Sequence, residues 1–383
     1  VDDTDFIAFT VPYVTANEVR YVADSLTSGL TSGDGPFTAR AVQLLEPLVG
    51  GGSCLLTTSC THALEMTALL LDLQPGDEVI VPSFTFVSTV NAYVLRGATP
   101  VFVDIRPDTF NLDERLLEAA ITERTKAVVV VHYGGVACDM EAITAIADRH
   151  GLQVIEDNAH GLGGTYRGRA LGSLGALATQ SFHSTKNVSC GEGGALVANA
   201  PGLMERAEIV REKGTNRSQF FRGMVDKYRW VDVGSSYLPS DVLAAALCAQ
   251  LESFDAIQAR RHRIWSTYDE ALASWAKDQD VRAQHVPDDC EHPAHVYPLV
   301  LPTAQDRTDL IAALRERNIV APFHYVPLHS SPVGQRLGRT ADSGCAVTDD
   351  VSDRLLRLPL HAGLRDDQVE RVVDAVTEFR TSA

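Results

Sequence analysis

Short apolar runs separated by amphipathic stretches set the rhythm of the first two thirds of the chain. Residues 78–82, 100–105, 127–132, 153–157, 179–182 and 195–198 are rich in β-branched side chains and predict strands. The run Ala127-Val128-Val129-Val130-Val131 has no polar alternation, the pattern of a strand covered on both faces. Between strands, residues 139–150 predict a helix. Met140, Ile143, Ile146 and Ala147 share one face, Asp139 can cap the start and Gly151 can end it. This alternation predicts an α/β fold, with a mainly parallel sheet between layers of helices.

The pattern changes near residue 250. A long charged helix is predicted over 251–275, containing Arg260-Arg261-His262-Arg263. Shorter mixed elements follow, punctuated by Pro293, Pro298, Pro302, Pro322 and Pro327. A large α/β domain over 1–250 and a smaller α+β domain over 251–383 are therefore expected, in keeping with about 150 residues per domain. No internal repeat or low-complexity tract interrupts either part.

Composition narrows the classes of function. No stretch approaches the roughly 18 apolar residues of a membrane span. The start, Val1-Asp2-Asp3-Thr4-Asp5, is acidic where an export signal carries positive charge, so a cytoplasmic location is expected. With 33 basic and 50 acidic residues the net charge is -17, which disfavours nucleic acid and anionic lipid as partners. An anionic ligand then requires a local basic patch. The seven cysteines (Cys54, Cys60, Cys138, Cys190, Cys248, Cys290 and Cys345) are scattered and form no C-x-x-C pair. Neither a metal site nor a disulfide framework is expected.

In open α/β sheets ligands bind at the carboxyl ends of the strands, and three segments fall there. Thr57-Thr58-Ser59-Cys60-Thr61-His62-Ala63-Leu64 places small hydroxyls before a helix, where backbone amides and hydroxyls can cradle a phosphate; an ordinary helix cap gives the same pattern. Glu156-Asp157-Asn158-Ala159-His160 ends an apolar strand in two acids, which can meet a cationic ring nitrogen, a metal or only solvent. Gly161-Leu162-Gly163-Gly164 follows without completing a dinucleotide fingerprint, which weakens a nicotinamide oxidoreductase reading. Ser181-Phe182-His183-Ser184-Thr185-Lys186-Asn187, then Gly191-Glu192-Gly193-Gly194, sets a lysine just beyond a strand, where it can form a Schiff base. Together the three meet the needs of pyridoxal phosphate: an anion cradle, a carboxylate for the ring nitrogen and a lysine for the aldehyde. Pro82-Ser83-Phe84-Thr85-Phe86 adds a ring to stack on it, Phe86 or Phe84.

Read in order, these segments resemble the DegT-type sugar aminotransferases, which are fold-type I pyridoxal phosphate enzymes. The likeness runs from about Pro12 to the last helix. Its motifs are Ser28-Gly29-Leu30, Cys60-Thr61-His62-Ala63-Leu64, Pro82-Ser83-Phe84-Thr85-Phe86, Glu156-Asp157-Asn158-Ala159-His160, Ser181 to Lys186 and Gly191-Glu192-Gly193-Gly194. Thr58 to Met66 and Glu212 to Gly223 are similar to the TDP-4-keto-6-deoxyglucose 4-aminotransferases. The resemblance implies that Lys186 holds the cofactor aldehyde and moves protons, and that Asp157 keeps the ring nitrogen protonated. It implies that Cys60, Thr61, the His62 backbone and Ser181 grip the phosphate. Phe86 would stack on the ring and His160 would reach its phenolic oxygen; His183 has a less definite place.

The resemblance also implies a homodimer with shared active sites. The family's G-x-N-x-R contact with a neighbouring subunit reads Gly234-Ser235-Ser236-Tyr237-Leu238 here, so its Asn and Arg are missing, and Ser235 and Ser236 are the candidates to replace them. Gly29, Tyr237 and the pair His324-Tyr325 are expected near the sugar. The segment from Arg211 to Arg229, with Lys213 and Arg217, is the basic patch expected to bind a nucleotide diphosphate. The implied reaction moves an amino group from L-glutamate to C4 of TDP-4-keto-6-deoxyglucose. Amination at C3 and a non-catalytic regulator of the same fold are the alternatives. A related dehydratase would carry His in place of Lys186.

Overall fold

A computed structural model describes residues 6–382, so the acidic Val1–Asp5 stretch lies outside the described residues. Fourteen strands are described: β1 (Ser53–Thr57), β2 (Glu78–Pro82), β3 (Thr99–Val103), β4 (Thr125–Val131), β5 (Gln153–Asp157), β6 (Thr165–Tyr166), β7 (Arg169–Ala170), β8 (Leu177–Ser181), β9 (Gly194–Ala198), β10 (Arg282–Ala283), β11 (Cys290–Glu291), β12 (Tyr297–Val300), β13 (Arg339–Thr340) and β14 (Leu355–Leu358). Eight form one sheet in the order β1-β9-β8-β5-β4-β2-β3-β13. The pairings from β8 through to β13 are parallel, and β9 runs antiparallel to both β1 and β8.

Strand alternation sorts the core into two layers. Val79, Val81, Val129, Ile155 and Leu196 pack on Leu64, Met66 and Tyr93 on one face. Ile80, Val101, Val128, Val130 and Val154 pack on Met140, Ile143 and Ala147 on the other. This double covering is what the unbroken valine run of β4 requires. Asp139 caps the Met140–His150 helix by accepting from the Ala142 amide at 3.1 Å, and Gly151 closes it in the left-handed region at φ 65°.

Two expectations need correction. The helix expected over 251–275 lies at Phe254–Asp278, while Leu251 and Glu252 end a separate helix, Asp241–Glu252, which meets it at Ser253. The first buries Ala244, Leu247, Cys248 and Leu251 under the large sheet, whereas the second buries Ile264, Tyr268 and Leu272 in a different core. One straight helix cannot serve both. Strand β1 was not expected, because Ser-Cys-Leu-Leu-Thr is short and follows Gly50-Gly51-Gly52.

A three-stranded antiparallel sheet, β10-β12-β14, carries the second core with Leu299, Leu310, Leu314, Leu356 and Val372. Ile7 is also buried there, tied by its amide to Asn318 O at 2.8 Å and by its carbonyl to the Val320 amide at 3.0 Å. In the other direction, β13 extends the large sheet beside β3. The strands β11, β6 and β7 form a third, small sheet. No helix among the described residues is long and apolar enough to cross a membrane.

Candidate active site

A cavity of about 570 Å³ lies where the carboxyl ends of β4, β5 and β8 face the β10-β12-β14 sheet. Val131, Asp157 and Ser181 line it from the large sheet; His295, Val296, His324, Tyr325 and Arg357 line it from the other side. Sheet topology alone places a ligand site at these strand ends.

Lys186 enters the cavity from the turn after β8. That turn is closed by backbone bonds from Phe182 N to Gly193 O (2.8 Å), Ser184 N to Gly191 O (2.9 Å) and Lys186 N to His183 O (2.9 Å). Asn187, the next residue, uses its whole amide. It donates to Pro293 O at 2.7 Å and Gln258 Oε1 at 3.0 Å, and accepts from His295 Nδ1 at 2.8 Å. Burial pulls the Lys186 amine down to about 8, partly opposed by the acidic side of the cavity, Asp157 included.

Strand alternation turns Glu156 and Asp157 to opposite faces of β5. Glu156 accepts from His132 Nε2 at 2.9 Å and from the amides of Gly172, Leu174 and Gly175 at 2.7–2.8 Å. Its burial would raise its pKa, yet those donors hold it below the usual range. Asp157 faces the cavity and accepts from Thr89 Oγ1 at 2.7 Å and the Ala159 amide at 3.2 Å. Thr85 in turn lies 2.8 Å from Thr89. Burial pushes the Asp157 carboxyl upward, against the pull of Thr89, Ala159 and Lys186. A protonated ring nitrogen set against it would restore the carboxylate.

The Cys60–Leu70 helix points its start at the cavity. Ser59 caps it by accepting from the His62 amide at 3.1 Å, so that amide is committed, and the first-turn amides of Cys60 and Thr61 are the ones left to an anion. Thr61 Oγ1 donates to Ser88 Oγ at 2.8 Å, and Ser59, Ser88 and Ser181 complete a rim of hydroxyls. Gly194 permits this closeness: a Cβ there would lie 2.4 Å from the Cys60 nitrogen.

Phe86 lines the cavity and is 57% exposed, while Phe84 is buried in the core. His160 Nδ1 accepts from the Gly134 amide at 3.3 Å, so its proton sits on Nε2, 3.3 Å from Tyr325 Oη. Burial drives His160, His295 and His324 well below their ordinary range, so all three are neutral. His183 stands at the mouth, 3.5 Å from Glu192.

Several residues expected near the ligand lie elsewhere in this chain. Gly29 ends the Glu18–Ser28 helix. The His62 ring bonds to Thr58 and packs on Tyr237, whose hydroxyl donates to Glu65 at 3.3 Å. Ser235 and Ser236 lie outside the cavity, joined to Lys213 and Glu212 by backbone pairing. Within one chain the basic patch does not reach the cavity. Lys213 and Arg217 both pair with Glu212 (3.3 and 3.0 Å), Arg211 with Asp34 (2.7 Å) and Arg222 with Glu208, and none lines the cavity. Sequence reasoning missed Thr89, Ser88, His295, Phe9 and Arg357. Only Ser88 and Thr89 had a local signal, the hydroxyl pair that opens a helix after Phe86.

The donor set fits pyridoxal phosphate: a partly deprotonated amine, a buried carboxylate seeking a cation, and open helix-start amides ringed by hydroxyls. The model of the DegT/DnrJ/EryC1/StrS aminotransferase family matches residues 12–377. The spore coat polysaccharide biosynthesis protein SpsC of Bacillus subtilis is 35% identical over 98% of this chain and 97% of its own. The aminotransferase TlmJ of Streptoalloteichus hindustanus superposes with a TM-score of 0.89 at 30% identity, over 97% of this chain and 98% of its own. The sugar aminotransferase Spr1654 of Streptococcus pneumoniae, solved in PLP and PMP forms, gives TM-scores of 0.88 and 0.89 at 28% identity, covering 97% of this chain and 99% of its own. The chain belongs to the DegT/DnrJ/EryC1/StrS aminotransferase family. It is a pyridoxal-phosphate-dependent nucleotide-sugar aminotransferase by family, with the fold of those enzymes.

Proposed function

We propose that this enzyme moves the amino group of L-glutamate to C4 of TDP-4-keto-6-deoxyglucose, giving a 4-amino-4,6-dideoxy sugar nucleotide. The observation that carries the site assignment is the convergence of Lys186, Asp157 and the Cys60–Thr61 helix start on one cavity. The likeness of Thr58 to Met66 and Glu212 to Gly223 to the 4-aminotransferases supports the choice of sugar.

Pyridoxal phosphate, when bound, supplies an aldehyde that exchanges amino groups and a ring that draws electrons from the carbon losing its proton. Asp157, shielded from water and oriented by Thr89, would keep the ring nitrogen protonated. Lys186, with an amine near neutrality, takes the proton from the substrate carbon and returns it one atom away. The Cys60 and Thr61 amides with Thr61, Ser88 and Ser181 would hold the phosphate, Phe86 would cover the ring, and His160 would offer its Nε2 proton to the phenolic oxygen.

We read residues 1–250 as the body that holds the cofactor and 251–383 as the smaller body that closes over it. We also propose a cytoplasmic homodimer. Phe221, Met224, Tyr228, Trp230 and Val233 are all more than half exposed on one segment, an apolar surface that a second copy would cover, bringing Arg217, Lys213, Ser235 and Ser236 to the other site. Incubation with TDP-4-keto-6-deoxyglucose and L-glutamate, followed by NMR of the product, tests the reading. An amine at C4 is expected; an amine at C3, or unchanged sugar, overturns it.

A further inference from the structure

Arg357 stands on β14, in the wall that the β10-β12-β14 sheet gives to the cavity, and no ion pair neutralises it among the described residues. Its Nη2 donates to the Phe323 carbonyl at 2.9 Å, and its guanidinium lies 4.5 Å from the centre of the Phe9 ring. Nε is buried without an acceptor. The acidic groups nearest in effect are the phenols of Tyr133 and Tyr325, which burial keeps neutral, and no carboxylate among the described residues pairs with it.

Arg357 is not alone in this, but Arg96 and Arg307, which also leave Nε buried without an acceptor, do not line the cavity. Arg106, Arg206 and Arg339 each bond a carboxylate, and Glu78 alone holds two arginines. Arg261 is also buried without a carboxylate, but its fork is used by the carbonyls of Ala294 (3.1 Å) and His295 (2.6 Å), and it does not line the cavity. Arg357 lines it and keeps N–H groups open. A cation enclosed by aromatic rings is costly unless an anion meets it. The two acids of the cavity are engaged elsewhere, Asp157 with Thr89 and Glu192 at the mouth with His183.

We propose that Arg357 binds the carboxylate of the amino-acid donor, so that the donor's amino group is presented beside Lys186. The inference rests on the aminotransferase reading above and adds to it the residue that recognises the donor. Connectivity favours this anion over the sugar nucleotide's diphosphate. In an α-amino acid the carboxylate is bonded to the very carbon that bears nitrogen, so its partner must stand close to the reacting centre. Arg357 and Lys186 line the same cavity. A diphosphate hangs from C1, across the ring from C4, and its two phosphates call for several cations rather than one fork. Phe9 and Tyr325 keep water away from the contact, which strengthens it.

The test uses the cofactor-loaded enzyme and its Arg357→Gln and Arg357→Lys variants, with each half-reaction followed separately through the cofactor absorbance. For Arg357→Gln the KM for L-glutamate rises about 10- to 100-fold, while that for the keto-sugar nucleotide moves by less than about threefold. Arg357→Lys keeps the charge but loses the fork, and should lie between wild type and Gln; it also serves if the Gln variant does not fold. Independently of turnover, calorimetric binding of glutarate to the loaded enzyme is expected in wild type, weakened in Arg357→Lys and lost in Arg357→Gln. An unchanged glutamate KM in a folded variant, or a rise confined to the sugar nucleotide, overturns the assignment while leaving the wild-type aminotransferase intact. A wild-type enzyme that accepts an amino group from no amino acid overturns the function itself, and this contact with it.

Discussion

The hydroxyl of Thr89 donates to Asp157 Oδ2 at 2.7 Å, and that bond fixes which way the buried carboxylate faces. With both residues buried, no water replaces the donor if it is removed. Thr89→Val, close in shape, would raise the Asp157 pKa further and leave the ring nitrogen less firmly protonated. A net loss of about 1–2 kcal/mol is expected for a bond to a charged group. Single-turnover proton transfer should slow about tenfold, with cofactor affinity nearly unchanged. An unaltered rate would mean that Thr89 is only packing.

The pH dependence of cofactor capture follows from Lys186. Only the unprotonated amine attacks the aldehyde, and burial brings its pKa from the ordinary lysine value to about 8. Because the shift is downward, the reactive fraction grows about tenfold per pH unit up to about pH 8 and then levels off. An ordinary lysine would keep climbing to about pH 10. The absorbance change on mixing cofactor-free enzyme with pyridoxal phosphate, followed from pH 6 to 10, distinguishes the two curves.

Gly194→Ala tests the phosphate cradle from behind. The added methyl would lie 2.4 Å from both the Cys60 nitrogen and the Ser59 carbonyl carbon, backbone atoms that cannot swing away. Overpacking of this kind costs about 1–3 kcal/mol. The Kd for pyridoxal phosphate, measured by equilibrium dialysis, should rise by about 5- to 100-fold. Equal affinity would show that the helix start does not hold the phosphate.

Asn187→Leu removes the clamp beside Lys186. Three hydrogen bonds, to Gln258, Pro293 and His295, are lost together. At about 1 kcal/mol each the variant should be destabilised by about 2–3 kcal/mol in urea unfolding. Its cofactor capture should also slow, since the turn carrying Lys186 is freed. Loss of stability with an unchanged capture rate would confine Asn187 to a structural part.

Much of this was legible from residue order. The β-branched runs located β2 and β5 at their observed bounds, because a strand covered on both faces leaves a continuous apolar signature. The three motifs after strands were legible because a site at strand ends is built from short contiguous segments. What escaped was made by packing across distance. His295, just before β12, and Arg357, on β14, reach the cavity from the far side, and in Leu355-Leu356-Arg357-Leu358 one arginine among leucines reads equally well as a residue facing solvent. Charge counted along the chain shows the basic residues between Arg211 and Arg229 but not all their partners, since Asp34 and Glu208 lie outside that window and pair with Arg211 and Arg222.

Reduction of the cofactor-loaded enzyme with borohydride, followed by proteolysis and mass spectrometry, tests the central assignment most directly. The account predicts that the cofactor is carried on the peptide containing Lys186, and that prior incubation with L-glutamate, which converts the bound aldehyde to the amine, abolishes the labelling. A label on another lysine, or none without glutamate, would contradict it.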